Sequence, residues 1–294
     1  MRAMGSERLI TVVISVASAL VLSGCSPSPE IVAVQEHRGL ELLTVRSPAI
    51  TENQVDESPE RLVAVYLPPS YEATDIQFPV VYYLHGYGQS PLSLTRFAPH
   101  LDSHFEQQPQ DAFIVVGVDG SSRIGGSFWR NSPILGRWED FVVEEVTSLV
   151  EDRYRVAADG ASRGIAGFSM GGDAAIHIAL SHPDEFGAIF VSGPAFPTAE
   201  TPERYLSAGG MPKRRSKVAA LAYEEVMDGD ALIPGALDEF DPTDRMVELI
   251  ADRSGARAVD RRLRARNPWR DRPGAIHIEF GTYDVPWLKE GARN

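Results

Sequence analysis

Cysteine is almost absent: one residue of 294, Cys25, carries a thiol. No intrachain disulfide can form, so the fold must rest on its core. Basic residues are also few, with 28 Lys and Arg against 41 Asp and Glu and a formal net charge of -13. That balance argues against a nucleic-acid partner, whose binding surface would be basic. The main apolar run, Leu9 to Leu22, is too short for a comfortable helical membrane span. Internal repeats are missing, and past the N-terminal region there is no low-complexity tract. Histidines number seven, the last being His277. What remains is 43% hydrophobic and 23% charged, which suits one globular domain with a sizeable core, or at most two small ones.

The N-terminal residues read as a targeting segment and not as part of the fold. Arg2 and Arg8 precede the apolar run, and Leu22-Ser23-Gly24-Cys25 closes it with small residues. This resembles a bacterial lipobox, which implies cleavage before Cys25 and a lipid on its sulfur. Residues 1–25 are thus expected as a lipoprotein signal peptide. Residues 26–39, opening Ser26-Pro27-Ser28-Pro29, are expected as a tether, and 40–294 as the domain. The protein would then be exported and anchored to a membrane of a bacterial cell envelope. An ordinary signal peptide ending near Cys25 is the alternative.

Past the tether, apolar strands alternate with helical patterns. Leu40–Val45, Leu62–Leu67, Pro79–Leu84, Ala112–Val118, Ala188–Gly193 and Ala275–Phe280 read as strands. Trp138–Tyr154 carries a helical stripe of Phe141, Val142, Val146, Leu149 and Val150. Residues 197–272, rich in charge, glycine and proline, read as an insertion over the sheet. The alternation predicts a mostly parallel sheet with helices on both faces.

One motif carries chemistry. Gly167-Phe168-Ser169-Met170-Gly171-Gly172 matches G-x-S-x-G, with strand residues Ile165-Ala166 before it and an apolar helix, Asp173–Leu180, after it. A strand turning sharply into a helix exposes the serine hydroxyl as a nucleophile. A tight turn with a packing serine is the plainer alternative. The oxyanion formed by attack on an acyl carbon needs two backbone N–H donors. Met170 is expected to supply one and Tyr87, in His85-Gly86-Tyr87-Gly88, the other, with Gly86 or Gly88 as alternatives. His85 is expected to orient that loop and not to act as the base. Asp284, just past the last strand, is the expected acid, ahead of Asp241 and Asp244.

Four blocks together resemble the putative-esterase family of α/β-hydrolases, which holds esterase D-type, feruloyl esterase and mycolyltransferase-like members. They are His85–Gly88, Ser127–Pro133 with Trp138-Glu139-Asp140, Gly167–Gly172 and Glu279–Asp284. The resemblance spans roughly Leu62 to Asp284. It implies an α/β-hydrolase fold, a carboxylic-ester substrate, Ser169 as nucleophile, Asp284 as acid, and no metal or cofactor. It also implies an acyl pocket near residues 127–140, where Gly86, Trp129 and Asn131 are candidate substrate contacts, although Trp129 or Trp138 could equally be core. One departure stands out. The family's catalytic histidine follows the acid by a further strand, and no histidine follows Asp284 here. The expectation is a chain truncated before its base, lacking the last strand and helix, and strong catalytic activity is not expected of the chain as given. Acyl transfer to a sugar or lipid acceptor, and a non-catalytic envelope binding protein on a hydrolase scaffold, are the competing readings.

Overall fold

The computed structural model describes residues 28–54, 56–122, 126–132, 135–194 and 275–279, the last as backbone only. Cys25, the 197–272 insertion and Asp284 lie outside the described residues. Ten strands are described: β1 Glu30–His37, β2 Leu40–Arg46, β3 Glu60–Tyr66, β4 Val80–Leu84, β5 Ile114–Val118, β6 Asn131–Ser132, β7 Gly136–Arg137, β8 Arg163–Phe168, β9 Ala188–Ser192 and β10 Ala275–Glu279. The helices are α1 Pro48–Thr51, α2 Ala98–Gln107, α3 Trp138–Asp140, α4 Thr147–Arg153 and α5 Met170–Ser181. Between α3 and α4 the helix widens into a π-helical stretch, Phe141–Val146.

Eight strands form one sheet in the order β1-β2-β3-β5-β4-β8-β9-β10, and β6 and β7 form a separate small ladder. The pairs from β1 to β5 along that order are antiparallel; those from β5 to β10 are parallel. The sheet starts earlier than the sequence suggests. β1 pairs with β2 from Glu30 to His37, within the stretch expected as a tether. Its mostly exposed side chains hide the strand from a reading based on apolar runs, because its order comes from edge pairing and not from burial.

The parallel half positions the chemistry. β5 is buried along its whole length, as a central strand between two layers must be. On β4, Tyr83 packs on Phe97 at the start of α2, while Tyr82 packs edge-on to Phe186 in the turn after α5. Successive side chains of a strand point to opposite faces, so these two contacts show helical layers on both sides of the sheet. Tyr66 donates from its hydroxyl to Asp102 Oδ1 at 2.7 Å, tying β3 to α2. The helix after the elbow, α5, buries nine of its twelve residues, Met170–Ile176, Ile178 and Ala179. A helix apolar on nearly every side is a core helix, and its place against β4, β8 and β9 fixes where β8 ends.

Candidate active site

β8 runs to Phe168, and α5 begins at Met170, leaving Ser169 alone at the junction. Its backbone sits at φ 54°, ψ -115°, a sparsely populated conformation for a residue with a side chain. Three hydrogen bonds hold it there. Ser169 N donates to the Ser192 carbonyl at 3.1 Å, and its own carbonyl accepts from Gly172 N at 3.0 Å and Asp173 N at 3.1 Å. The three glycines of the motif are there for space. A methyl group on Gly167 would meet the Gly171 carbonyl oxygen at 2.0 Å, and one on Gly171 would meet the Leu84 carbonyl oxygen at 1.9 Å. One on Gly172 would press on Pro194 Cα at 3.1 Å. The helix therefore starts in backbone contact with the ends of β4 and β8. Met170 N is the first amide of α5, and such amides have no carbonyl partner within the helix and lie at its positive pole.

The loop after β4 stands beside this junction. His85 is fully buried. Its Nδ1 donates to the Gly86 carbonyl at 2.9 Å, and its Nε2 accepts from Gly120 N at 3.0 Å. Both ring nitrogens are spent on backbone, so His85 ties the ends of β4 and β5 together, as expected of a loop-orienting residue. Gly86 N donates to Gln89 Oε1 at 3.1 Å, and the Phe168 ring lies 3.0 Å from where a Gly86 Cβ would be. The Gly86 amide is thus committed within the loop, which counts against it as an oxyanion donor and as a substrate contact. Tyr87 and Met170 are brought together at Gly126. A methyl group there would lie 2.5 Å from Met170 Sδ and 3.0 Å from Tyr87 Cδ2. Tyr87 also faces Phe128, with ring centroids 5.9 Å apart.

Two of the expected substrate contacts are placed otherwise. Trp129 is fully buried, edge-on to His85 at 5.4 Å and pressed on the Gly120 backbone. It supports the loop from behind, which is the core alternative. A left-handed φ of 56° at both Phe128 and Trp129 turns them to opposite tasks, one toward Tyr87 and one inward. Asn131 is a helix cap. Its Oδ1 accepts from Glu139 N at 3.0 Å and Asp140 N at 3.2 Å, and its Nδ2 donates to Asp140 Oδ1 at 2.6 Å. It also borders a shallow groove of about 580 Å³ with Glu52, Asn53, Gln54, Ser132 and Arg137, none of them a residue of the elbow or the donor loop.

Of the remaining histidines, His37 ends β1. His100 and His104 are exposed on α2, and His104 Nε2 lies 3.4 Å from Asp111 Oδ2. His177 lies within α5, and His182 closes it. Both donate to Glu139, at 2.9 and 2.7 Å. His277 is within β10, opposite Phe190 of β9. The end of β10 reaches the elbow's level: Glu279 is in register with Ser192, and Ser192 with Phe168. Gln89 and Gly126 escaped the sequence reading. A glutamine three residues past a glycine carries no motif, and Gly126 acts through a contact 44 positions away in the chain, with Met170.

A mixed eight-stranded sheet with a serine in strained conformation between a parallel strand and a buried helix defines an α/β-hydrolase scaffold. The model of the family described as "Putative esterase" matches residues 58–281, and the chain belongs to that family. It is 28% identical over 142 residues to the uncharacterized protein YbbA of Bacillus subtilis, covering 44% of this chain and 54% of that protein. It is 30% identical over 139 residues to Esterase Rv1288 of Mycobacterium tuberculosis, covering 45% of this chain and 29% of that one. The chain thus matches about half the length, or less, of these curated relatives. Among solved structures a ferulic acid esterase superposes with a TM-score of 0.51 at 19% identity, over 86% of this chain and 95% of that one, which shows the shared fold.

Proposed function

We propose that the chain is a serine carboxylic-ester hydrolase working through an acyl-enzyme on Ser169. The observation that carries this is the backbone of Ser169, held at φ 54° where β8 gives way to α5. That conformation has a cost of roughly 1–3 kcal/mol, which three hydrogen bonds and three glycines maintain around one hydroxyl. Ser169 Oγ would attack the ester carbonyl as a base takes its proton. The Met170 and Tyr87 amides would hold the oxyanion, and the C–O bond would break as the proton passes to the leaving alcohol. Water would then cleave the acyl–serine bond to release the acid. Asp284 would orient a histidine, which the family places after the acid and which this sequence does not contain there. We read the lipobox-like Leu22–Cys25 as placing the enzyme on a bacterial envelope membrane, with lipid on Cys25. The same acyl-enzyme would serve transfer to a sugar or lipid acceptor, which product analysis with added acceptor separates from hydrolysis.

The test is covalent labelling of the 294-residue chain with a fluorophosphonate, alongside hydrolysis of short p-nitrophenyl esters. Labelling above the Ser169→Ala background is expected in the native chain, at a rate well below that of an esterase with its histidine in place. Equal labelling of both would remove Ser169 from the chemistry. A second reading, a binding protein on a hydrolase scaffold, draws on the engagement of the His85, His177 and His182 rings elsewhere. A native chain that neither labels nor turns over ester would favour it.

A further inference from the structure

Three contacts run along one side of α5, and all three come from the described stretches 126–132 and 135–140. Gly126 packs on Met170. Arg130 Nη2 donates to Asp173 Oδ2 at 3.2 Å, with both side chains buried. Glu139, also buried, accepts from His177 Nε2 through Oε2 and from His182 Nε2 through Oε1. Positions 170, 173 and 177 stand three and four residues apart, so they share one face of the helix. His182 adds a fourth point at the helix end.

We propose that residues 126–132 and 135–140 form a strap along the nucleophile helix, and that the imidazolium charge at His177 and His182 sets how firmly this strap holds Met170 in place. The inference rests on the serine-esterase reading, since it makes Arg130, Glu139, His177 and His182 positioning residues for the Met170 amide.

Charge balance carries the argument. Arg130 answers Asp173. Glu139 then needs a cation, and an imidazolium at 177 or 182 is what its two hydrogen-bond partners can supply. Arg130 also favours the Glu139 carboxylate through space, but its hydrogen bond goes to Asp173. Asp140 faces the pair from the strap but is answered by Arg137, and Glu185, from the turn after α5, is answered by Arg163. A buried carboxylate without a cation is costly, so a neutral histidine pair leaves the strap holding an unbalanced charge. The hydrogen bond and negative charge of Glu139 raise the pKa of His182 above its ordinary value of 6.5 against the opposing effect of burial. The strap is therefore tight while His182 is an imidazolium, and it loosens as pH rises through the raised His182 value.

The test compares Glu139→Gln with the native full chain, and with Glu60→Gln, which breaks an exposed ion pair with Arg46 on distant strands. Hydrogen exchange reads the strap without any need for a reactive serine. In Glu139→Gln, peptides covering 126–140 and 170–182 should exchange about tenfold faster while those covering β4 and β5 stay unchanged. Unchanged exchange, or an even rise across the sheet, would overturn the proposal. Fluorophosphonate labelling, taken as the ratio of variant to native rate, should be about one-tenth near pH 6 and rise toward one as pH passes through the raised His182 value. A purely structural role would give a ratio flat with pH, and that result also overturns it. The ratio cancels any pH dependence that the variant and the native chain share. Should the native chain fail to label, as a chain without its base would, the exchange experiment still decides the strap. His182→Gln, at a partly exposed position that keeps an N–H donor, serves where Glu139→Gln does not fold. A smaller change in the same direction, about threefold, is expected of it.

Discussion

A methyl group at position 171 would meet the Leu84 carbonyl oxygen at 1.9 Å, and backbone cannot step aside as a flexible side chain can. Gly171→Ala should therefore destabilise by about 3 kcal/mol or more, read from chemical denaturation. Gly126→Ala makes a useful contrast. Its methyl would meet Met170 Sδ at 2.5 Å, the far end of an unbranched side chain that can swing. A loss of about 1–2 kcal/mol is expected, with a larger proportional fall in Ser169 labelling because Met170 is what moves. Ser169 itself is strained for its task. Ser169→Gly relieves a cost of about 1–3 kcal/mol and gives back about 0.5–1 kcal/mol in chain entropy, so the variant should melt slightly higher than the native protein. A lower melting temperature would show that the elbow is not under strain.

Between elements, buried polar groups fasten one strand end to the next. His85 joins the loop after β4 to Gly120 after β5, with Trp129 packed beneath. His85→Ala should leave the Gly120 amide unpartnered and the Trp129 indole without its edge contact. A loss of about 2–4 kcal/mol is expected, measured by urea unfolding, together with weaker labelling of Ser169. His85→Gln, which can keep one bond, should recover part of both. The sequence foretold the role of this histidine from its position ahead of the nucleophile. It left Trp129 open between pocket and core, because a tryptophan in a loop carries no periodicity to say which way it faces. Two left-handed residues in a row, Phe128 and Trp129, decide it. Asn131 was read as a substrate contact through its neighbours in a motif. Its geometry, with Oδ1 on two helix-start amides, makes it a cap.

At the scale of the whole molecule, pH acts through the strap charges. Glu139 is pushed up by burial, but the hydrogen bonds of His177 and His182, with the charges of His177 and Arg130, hold it well below its ordinary 4.5. A lowered carboxylate stabilises the fold above its unfolded pKa, and that stability is lost as pH falls through the folded value. His182 is raised, so its contribution is full below about 6.5 and is lost as pH rises through the higher folded value. Thermal stability should thus plateau between about pH 4.5 and 6.5 and fall on either side. Glu139→Gln should flatten both limbs in a series of melting scans across pH.

The strand–turn–helix around Ser169, the order of strands and helices, and the loop-orienting histidine were legible in the chain itself, because each rests on local rules. Apolar runs of fixed length make the strands. Glycines at fixed spacing let the backbone close around Ser169, and a short loop follows β4 as such folds require. β1 escaped notice because edge pairing orders a strand whose side chains remain largely exposed. Gly126 on Met170, Arg130 on Asp173, and Glu139 between His177 and His182 join residues about 40 positions apart. Tertiary packing alone decided those pairs, since a buried charge finds whichever opposite charge the folded layers bring within reach, and no spacing along the chain records that choice.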